Sequence, residues 1–126
     1  MAIATVLLYN LGDDTDRGRA VRRLCAQQKL RVRGVLPAQQ TQTLAALLAG
    51  ELPAAPPPPQ PFTDPVLVMA FLSPGVQNRL LRGLRSLPPI PLKAVLTATN
   101  SQWTGIQLHE ELQREHAAFH GGESQP

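Results

Sequence analysis

Thr97, Thr99, Asn100 and Ser101 fall within five residues and are followed by Trp103, the only tryptophan of the chain. Hydroxyl and amide side chains so crowded can hold a polar ligand or the backbone of a partner. Asn10 and Ser73 follow other apolar runs in the same manner and are candidates for the same site. The structural reading of the loop is the more economical one: Asn100 closes a turn, Thr104 and Gln107 form a capping box, and Trp103 staples onto Leu108.

Catalysis would require a histidine or carboxylate beside Ser73, Thr97 or Thr99. The nearest acids, Asp13, Asp14 and Asp16, suit a helix N-terminus better, with Asp13 as its cap. The reading therefore leans away from an enzyme, and no catalytic residue is assigned. Cys25 lies on the apolar stripe of a helix, where an inert buried thiol is expected, and a lone cysteine can form no internal disulfide. His116 and His120 have chelating i, i+4 spacing, and His109 shares their side of the helix. Two ligands without a carboxylate make a poor metal site, so no metal or cofactor is expected. The turn YNLGDDTD has one glycine and three aspartates and would repel a pyrophosphate. A phosphoacceptor receiver is excluded because the third strand, ending Met69-Ala70-Phe71-Leu72-Ser73, brings no carboxylate.

Arginines offer a different chemistry. From Arg17 to Arg33 there are seven basic residues and no acid. Arg79, Arg82 and Arg85 then form a ridge on a later helix. With Arg19 and Arg22 they could grip RNA phosphates, making binding salt-dependent. Placement of the two arginine helices on opposite faces would split that patch, and aromatic stacking platforms for single strands are missing. Solvated helix faces are the simpler expectation.

The elements that must position these residues are readable from periodicity. Runs at residues 3–9, 30–36, 66–71 and 92–97 predict four strands, the first buried and the second an edge strand with Lys29, Arg31 and Arg33 on one face. Val21, Leu24, Cys25 and Gln28 predict a first helix, Leu44, Leu47 and Leu48 a short second one stopped by Gly50. Ser73 and Pro74 cap a third helix striped with Val76, Leu80, Leu81, Leu84 and Leu87. A fourth starts at Thr104, carries Leu108, Leu112 and Phe119 inward, and ends at Gly121-Gly122. Between the pairs lies PAAPPPPQPFTDP, seven prolines in thirteen residues, read as an extended exposed spacer.

A shift of sixty residues superimposes the halves without a gap. Val6-Leu7 meets Val66-Leu67, Arg19 and Arg22 meet Arg79 and Arg82, Leu24 meets Leu84, and Val35-Leu36 meets Val95-Leu96. Seven of 31 positions are identical, and caps align with caps. Duplication of a right-handed βαβ unit predicts an α/β three-layer sandwich with a mainly parallel sheet in the order 2-1-3-4. With both units pointing the same way, the two long helices lie on opposite faces. The turns after strands 1, 3 and 4 then converge at one crevice, the usual ligand position in such sheets. The repeat halves are 3–50 and 66–120, the linker is 53–65, and 121–126 is a disordered tail of one domain.

The 126 residues are 43% apolar but only 4% aromatic, so the core is aliphatic, and the net charge is +3. MAIATVLLYN is too short and uncharged for a signal peptide or membrane span, which predicts a soluble cytoplasmic protein. LLYN, LAALLAG, PLKAVLTATNSQW and ELQREH resemble a small bacterial family known as a domain of unknown function (domain of unknown function 3783). Its most specific stretch is carried by Lys93, Ala94, Val95, Thr97, Thr99, Asn100 and Trp103. Ala98 stands where that family has proline, and the proline-rich connection is longer on prolines than is usual there. The resemblance implies a bacterial, cytoplasmic origin and brings no activity or site residue. The expectation is a non-catalytic domain binding a small ligand or a protein, with an RNA-associated basic protein as the alternative.

Overall fold

The computed structural model describes residues 2–124, with side chains as far as residue 118. Its strands are β1 (Thr5–Tyr9), β2 (Arg31–Val35), β3 (Val66–Ala70) and β4 (Leu92–Val95). Its helices are α1 (Asp16–Gln27), α2 (Leu44–Ala49), α3 (Pro74–Leu84) and α4 (Gly105–Ser124). Every residue of β1 and β3 is buried, as a strand covered on both faces must be. The flanking strands are only partly buried and carry Arg31, Arg33 and Lys93, charges that discourage edge pairing.

The strand order is 2-1-3-4, and each βαβ unit is internally parallel. The seam between units departs from the expected direction. β1 and β3 run antiparallel, with Thr5 opposite Ala70, Leu7 opposite Val68 and Tyr9 opposite Val66. The pseudo-twofold axis thus passes through the sheet near Leu7 and Val68 rather than along the strands. Linker path explains the reversal. α2 climbs only about 9 Å in six residues at 1.5 Å each. The thirteen residues 53–65 could cover about 40 Å as polyproline II, enough to return to the opposite end of the sheet before β3 starts.

This axis has a consequence for the layers. Two right-handed units related by it place corresponding helices on the same face. Val21 and Cys25 of α1 and Leu80 and Leu84 of α3 therefore share one core cluster with Val6, Leu8, Leu67 and Met69. Leu44 and Leu47 of α2 pack with Leu108 of α4 against Leu7, Tyr9, Val66, Val68 and Leu92 on the other face. The long helices α1 and α3 are neighbours, contrary to the opposite-face expectation. They approach closely where Gly83 faces Leu24: a Cβ at position 83 would lie 2.7 Å from a Leu24 methyl.

Local capping mostly follows the sequence. Ser73 Oγ accepts from Val76 N–H with Pro74 behind it. Thr104 and Gln107 form a reciprocal capping box at 2.8 and 3.2 Å. Gly50 closes α2 at φ +75°, the left-handed conformation that glycine adopts without penalty. The cap of α1 is Thr15, whose Oγ1 accepts from Gly18 N–H at 2.9 Å, and not Asp13. Asp13 instead offers its carbonyl to Arg19. α4 continues through Gly121-Gly122 to Ser124, because a helical glycine costs only about 1 kcal/mol and does not by itself force a stop. The side chains of Phe119 and His120, and residues 125 and 126 of the expected tail, lie outside the described residues.

The proline-rich connection is mostly exposed, but it is fastened rather than loose. Gln42 Nε2 donates to Pro53 O, Thr41 Oγ1 to Pro56 O, and Asn10 Nδ2 to the carbonyls of Phe62 and Asp64. Fully buried Gln40 grips Phe62 with both amide atoms, at 3.0 and 2.9 Å. The Phe62 ring stacks on His109 with centroids 4.1 Å apart and lies 5.6 Å from Tyr9. Asp64 Oδ2 completes the clamp, 2.8 Å from His109 Nε2 and accepting from Gln113.

Candidate ligand-binding cleft

Reversal of the seam separates the residues expected to converge. β3 and β4 end where β1 and β2 begin, so Thr97 and Ser73 sit at one end of the sheet and Asn10 at the other. No shared crevice beyond strands 1 and 3 exists among the described residues. Asn10, at φ +60°, is occupied by the linker carbonyls.

A cleft of about 790 Å³ opens instead at the end where β3 and β4 exit. That volume falls in the range of about 300–1,000 Å³ typical of small-molecule sites. Its floor is apolar, from Leu48 and Ala45 of α2 with Leu72 and Leu96. Polar groups enter from Thr97, Ser101 and Arg31, the last having no hydrogen bond or ion pair among the described residues. At its lip stand Phe71, 51% exposed, and Val95, 42% exposed. Phe71 holds φ +65°. That left-handed conformation costs a residue with a Cβ about 1–2 kcal/mol, and a bulky aromatic is an outlier there. A large apolar side chain kept both strained and half in water is not explained by packing, and such outliers concentrate at functional sites.

The Thr97–Trp103 loop has two roles divided among its residues. Asn100 is 8% exposed and its side chain is fully engaged. Its Oδ1 accepts from Thr97 N–H at 2.7 Å, its Nδ2 donates to Val95 O at 3.0 Å, and its own N–H donates to Thr97 Oγ1. Asn100 thus shapes the cleft wall. Thr97 keeps its hydroxyl proton for a further acceptor, while Ser101 Oγ donates to Ala98 O, accepts at 3.4 Å from Gln102 Nε2 and retains one lone pair. Thr99 is exposed and does not line the cleft, Ser73 caps α3 just beyond Leu72, and Trp103 packs with the α2/α4 core. Sequence periodicity could not find Phe71 or Val95, since both are apolar residues closing runs that read as strands, Phe71 after the fully buried β3 and Val95 at the end of the partly exposed β4.

Burial pushes the Cys25 thiol up to about 11, against a smaller opposing pull from Arg22, so a thiolate nucleophile is disfavoured. Desolvation likewise raises the Tyr9 phenol. No group of three or more His, Cys, Asp or Glu that could hold a metal occurs among the described residues.

These features now sit beside a family. Residues 65–119 match the family model described as a domain of unknown function, DUF3783. The DUF3783 match takes in β3, α3, β4 and most of α4. It includes PLKAVLTATNSQW and ELQREH but stops short of LLYN and LAALLAG, which the resemblance also used. Phe71, Val95, Thr97 and Ser101 fall inside the DUF3783 segment; Ile3, Arg31 and α2 complete the cleft from outside it. Comparison with curated proteins and with solved structures gives no match. Among the described residues, no helix is long and apolar enough to cross a membrane.

Proposed function

We propose that this is a non-catalytic binding domain whose cleft takes a small ligand with an apolar body and a hydrogen-bonding or anionic head. The observation that carries the reading is Phe71, strained at φ +65° and half exposed at the lip of the cleft. Its ring and Val95 would cover the apolar body against Leu48 and Leu96. Arg31 would meet the head, with the Thr97 hydroxyl as donor and Ser101 Oγ as acceptor. Among the described residues the cleft lining holds no histidine or carboxylate, the side chains suited to proton transfer near neutral pH.

Small carboxylates with apolar tails, screened by thermal shift, provide the test. Phe71→Asn removes the ring and places a residue tolerant of the left-handed region there. Losing an aromatic contact worth about 1.5–3 kcal/mol weakens a bound compound tenfold or more, while the variant folds as stably as the wild type or better. A screen in which no compound stabilises the wild type, or in which Phe71→Asn binds as well, overturns the proposal.

A further inference from the structure

Neighbouring α1 and α3 create a second surface, independent of the cleft and on the opposite side of the sheet. Leu24 meets Gly83, and Gln28 Nε2 donates to Arg79 O at 3.3 Å, so the two helices run antiparallel with their outer sides continuous. Arg23, Arg79, Arg82 and Arg85 are all exposed there. None of the four guanidinium groups has a hydrogen bond or ion pair among the described residues. Arg19 and Arg22, by contrast, are engaged: Arg19 with Asp16 and the Asp13 carbonyl, Arg22 with Leu11 O. On α3 the steps from Arg79 to Arg82 to Arg85 rise about 4.5 Å each along the axis.

Charge is sorted between the layers. α3 contains no acid; the acids of the α1 side, Asp13, Asp14 and Asp16, cluster at the helix start, beyond the Arg85 end of the ridge, with Asp16 already paired to Arg19. Glu110, Glu111 and Glu115 lie on α4, across the sheet. A chain with a net charge of only +3 thus presents a concentrated basic ridge on one face.

We propose that the α1/α3 face binds the phosphodiester backbone of a double-stranded nucleic acid. Uncompensated arginines in a row suit bidentate contact with phosphates. Among the described residues, the large exposed apolar ones are Ile3, Leu36, Leu52, Phe71 and Val95, none of them on α1 or α3. The face therefore offers no ring for stacking an unpaired base and no apolar anchor for a bilayer. Regular charge without either points to a duplex recognised through its backbone.

Four phosphate contacts predict a log–log salt slope of about −3.6, so affinity falls a hundredfold or more between 50 and 200 mM salt. Fluorescence anisotropy with 20-base-pair RNA and DNA duplexes, the matching single strands, and phosphatidylserine vesicles tests this. Arg79→Gln, Arg82→Gln and Arg85→Gln together should reduce the slope to about −1. The same charge change at Arg33, Lys93 and Arg114, on the other layer or the sheet edge, should leave it near −3.6. The RNA and DNA arms identify which duplex is preferred. Duplex binding that both triple variants weaken equally, binding confined to single strands, or binding to vesicles without duplex overturns the proposal. So does indifference of the wild type to every duplex.

Discussion

Gln40→Ala is the substitution that most sharply separates a fastened linker from a passive spacer. Gln40 is fully buried, and its amide is spent on both backbone groups of Phe62, 22 residues away. Truncation removes two hydrogen bonds, each contributing about 1 kcal/mol net. Phe62 O keeps the Asn10 donor, but Phe62 N–H is left without a partner in a half-buried position, adding about 1 kcal/mol or more. The expected loss is about 3 kcal/mol, or roughly 10 °C in Tm at about 3–4 °C per kcal/mol for a chain of this length. Equilibrium urea unfolding followed by circular dichroism reads the loss. Hydrogen exchange across residues 53–65 should accelerate in the same variant, because the clamp formed by Phe62, His109 and Asp64 opens. A change below about 0.5 kcal/mol, with unaltered exchange, refutes the idea that the proline segment is locked onto the α2/α4 layer.

Tyr9 and Cys25 give two further predictions. The Tyr9 hydroxyl is buried with no hydrogen-bond partner among the described residues, so Tyr9→Phe should leave stability unchanged or raise it by about 1 kcal/mol in the same urea assay. The Cys25 thiol is raised from 9.0 to about 11, so between those values the unfolded chain has lost a proton that the folded chain retains. Stability is therefore intact below pH 9 and falls as pH rises towards 11, by roughly 3 kcal/mol at most from this group. Tyr9 acts in the same direction from about pH 10 upward, where the unfolded phenol loses its proton and the buried one keeps it. A Cys25→Ala variant isolates the thiol: its stability should decline less steeply than the wild type from pH 9 to 11.

Much of the architecture is legible in the chain because it depends on short-range pattern. Five consecutive buried residues in β1 and in β3, Ser73 before Pro74, Gly50 after α2 and the Thr104–Gln107 box all express local chemistry that needs no partner to be recognised. Strand order also follows, since two right-handed βαβ units joined at their first strands give 2-1-3-4 in either relative direction. That direction is a different matter. It depends on where residues 51–65 travel, and prolines specify stiffness without specifying a destination. The contacts that do specify it come from Asn10, Gln40, Gln42 and Phe62, isolated residues with no periodicity to mark them. Asn10 consequently looks like a site residue from its place after β1, whereas its amide holds the linker. The sixty-residue alignment has the same limit: it pairs Asp13 with Ser73, yet Thr15 caps α1. Of the expected site, Thr97 and Ser101 line the cleft described above, which is built with Phe71 and Arg31 and not around the β1 turn; Asn100 and Trp103 line a smaller concavity beside α4.

The antiparallel joining of β1 and β3 underlies both the cleft and the arginine face, and a cross-link between α1 and α3 tests it directly. In a Cys25→Ala background, Leu24→Cys and Gly83→Cys place two thiols where a position-83 Cβ would lie 3.3 Å from the Leu24 Cγ, within disulfide reach. Mild oxidation of the folded, monomeric protein, followed by non-reducing peptide mass spectrometry, should yield the 24–83 disulfide nearly quantitatively. Two thiols that both stay free while the protein remains folded would place the sheet between those helices, and contradict the account.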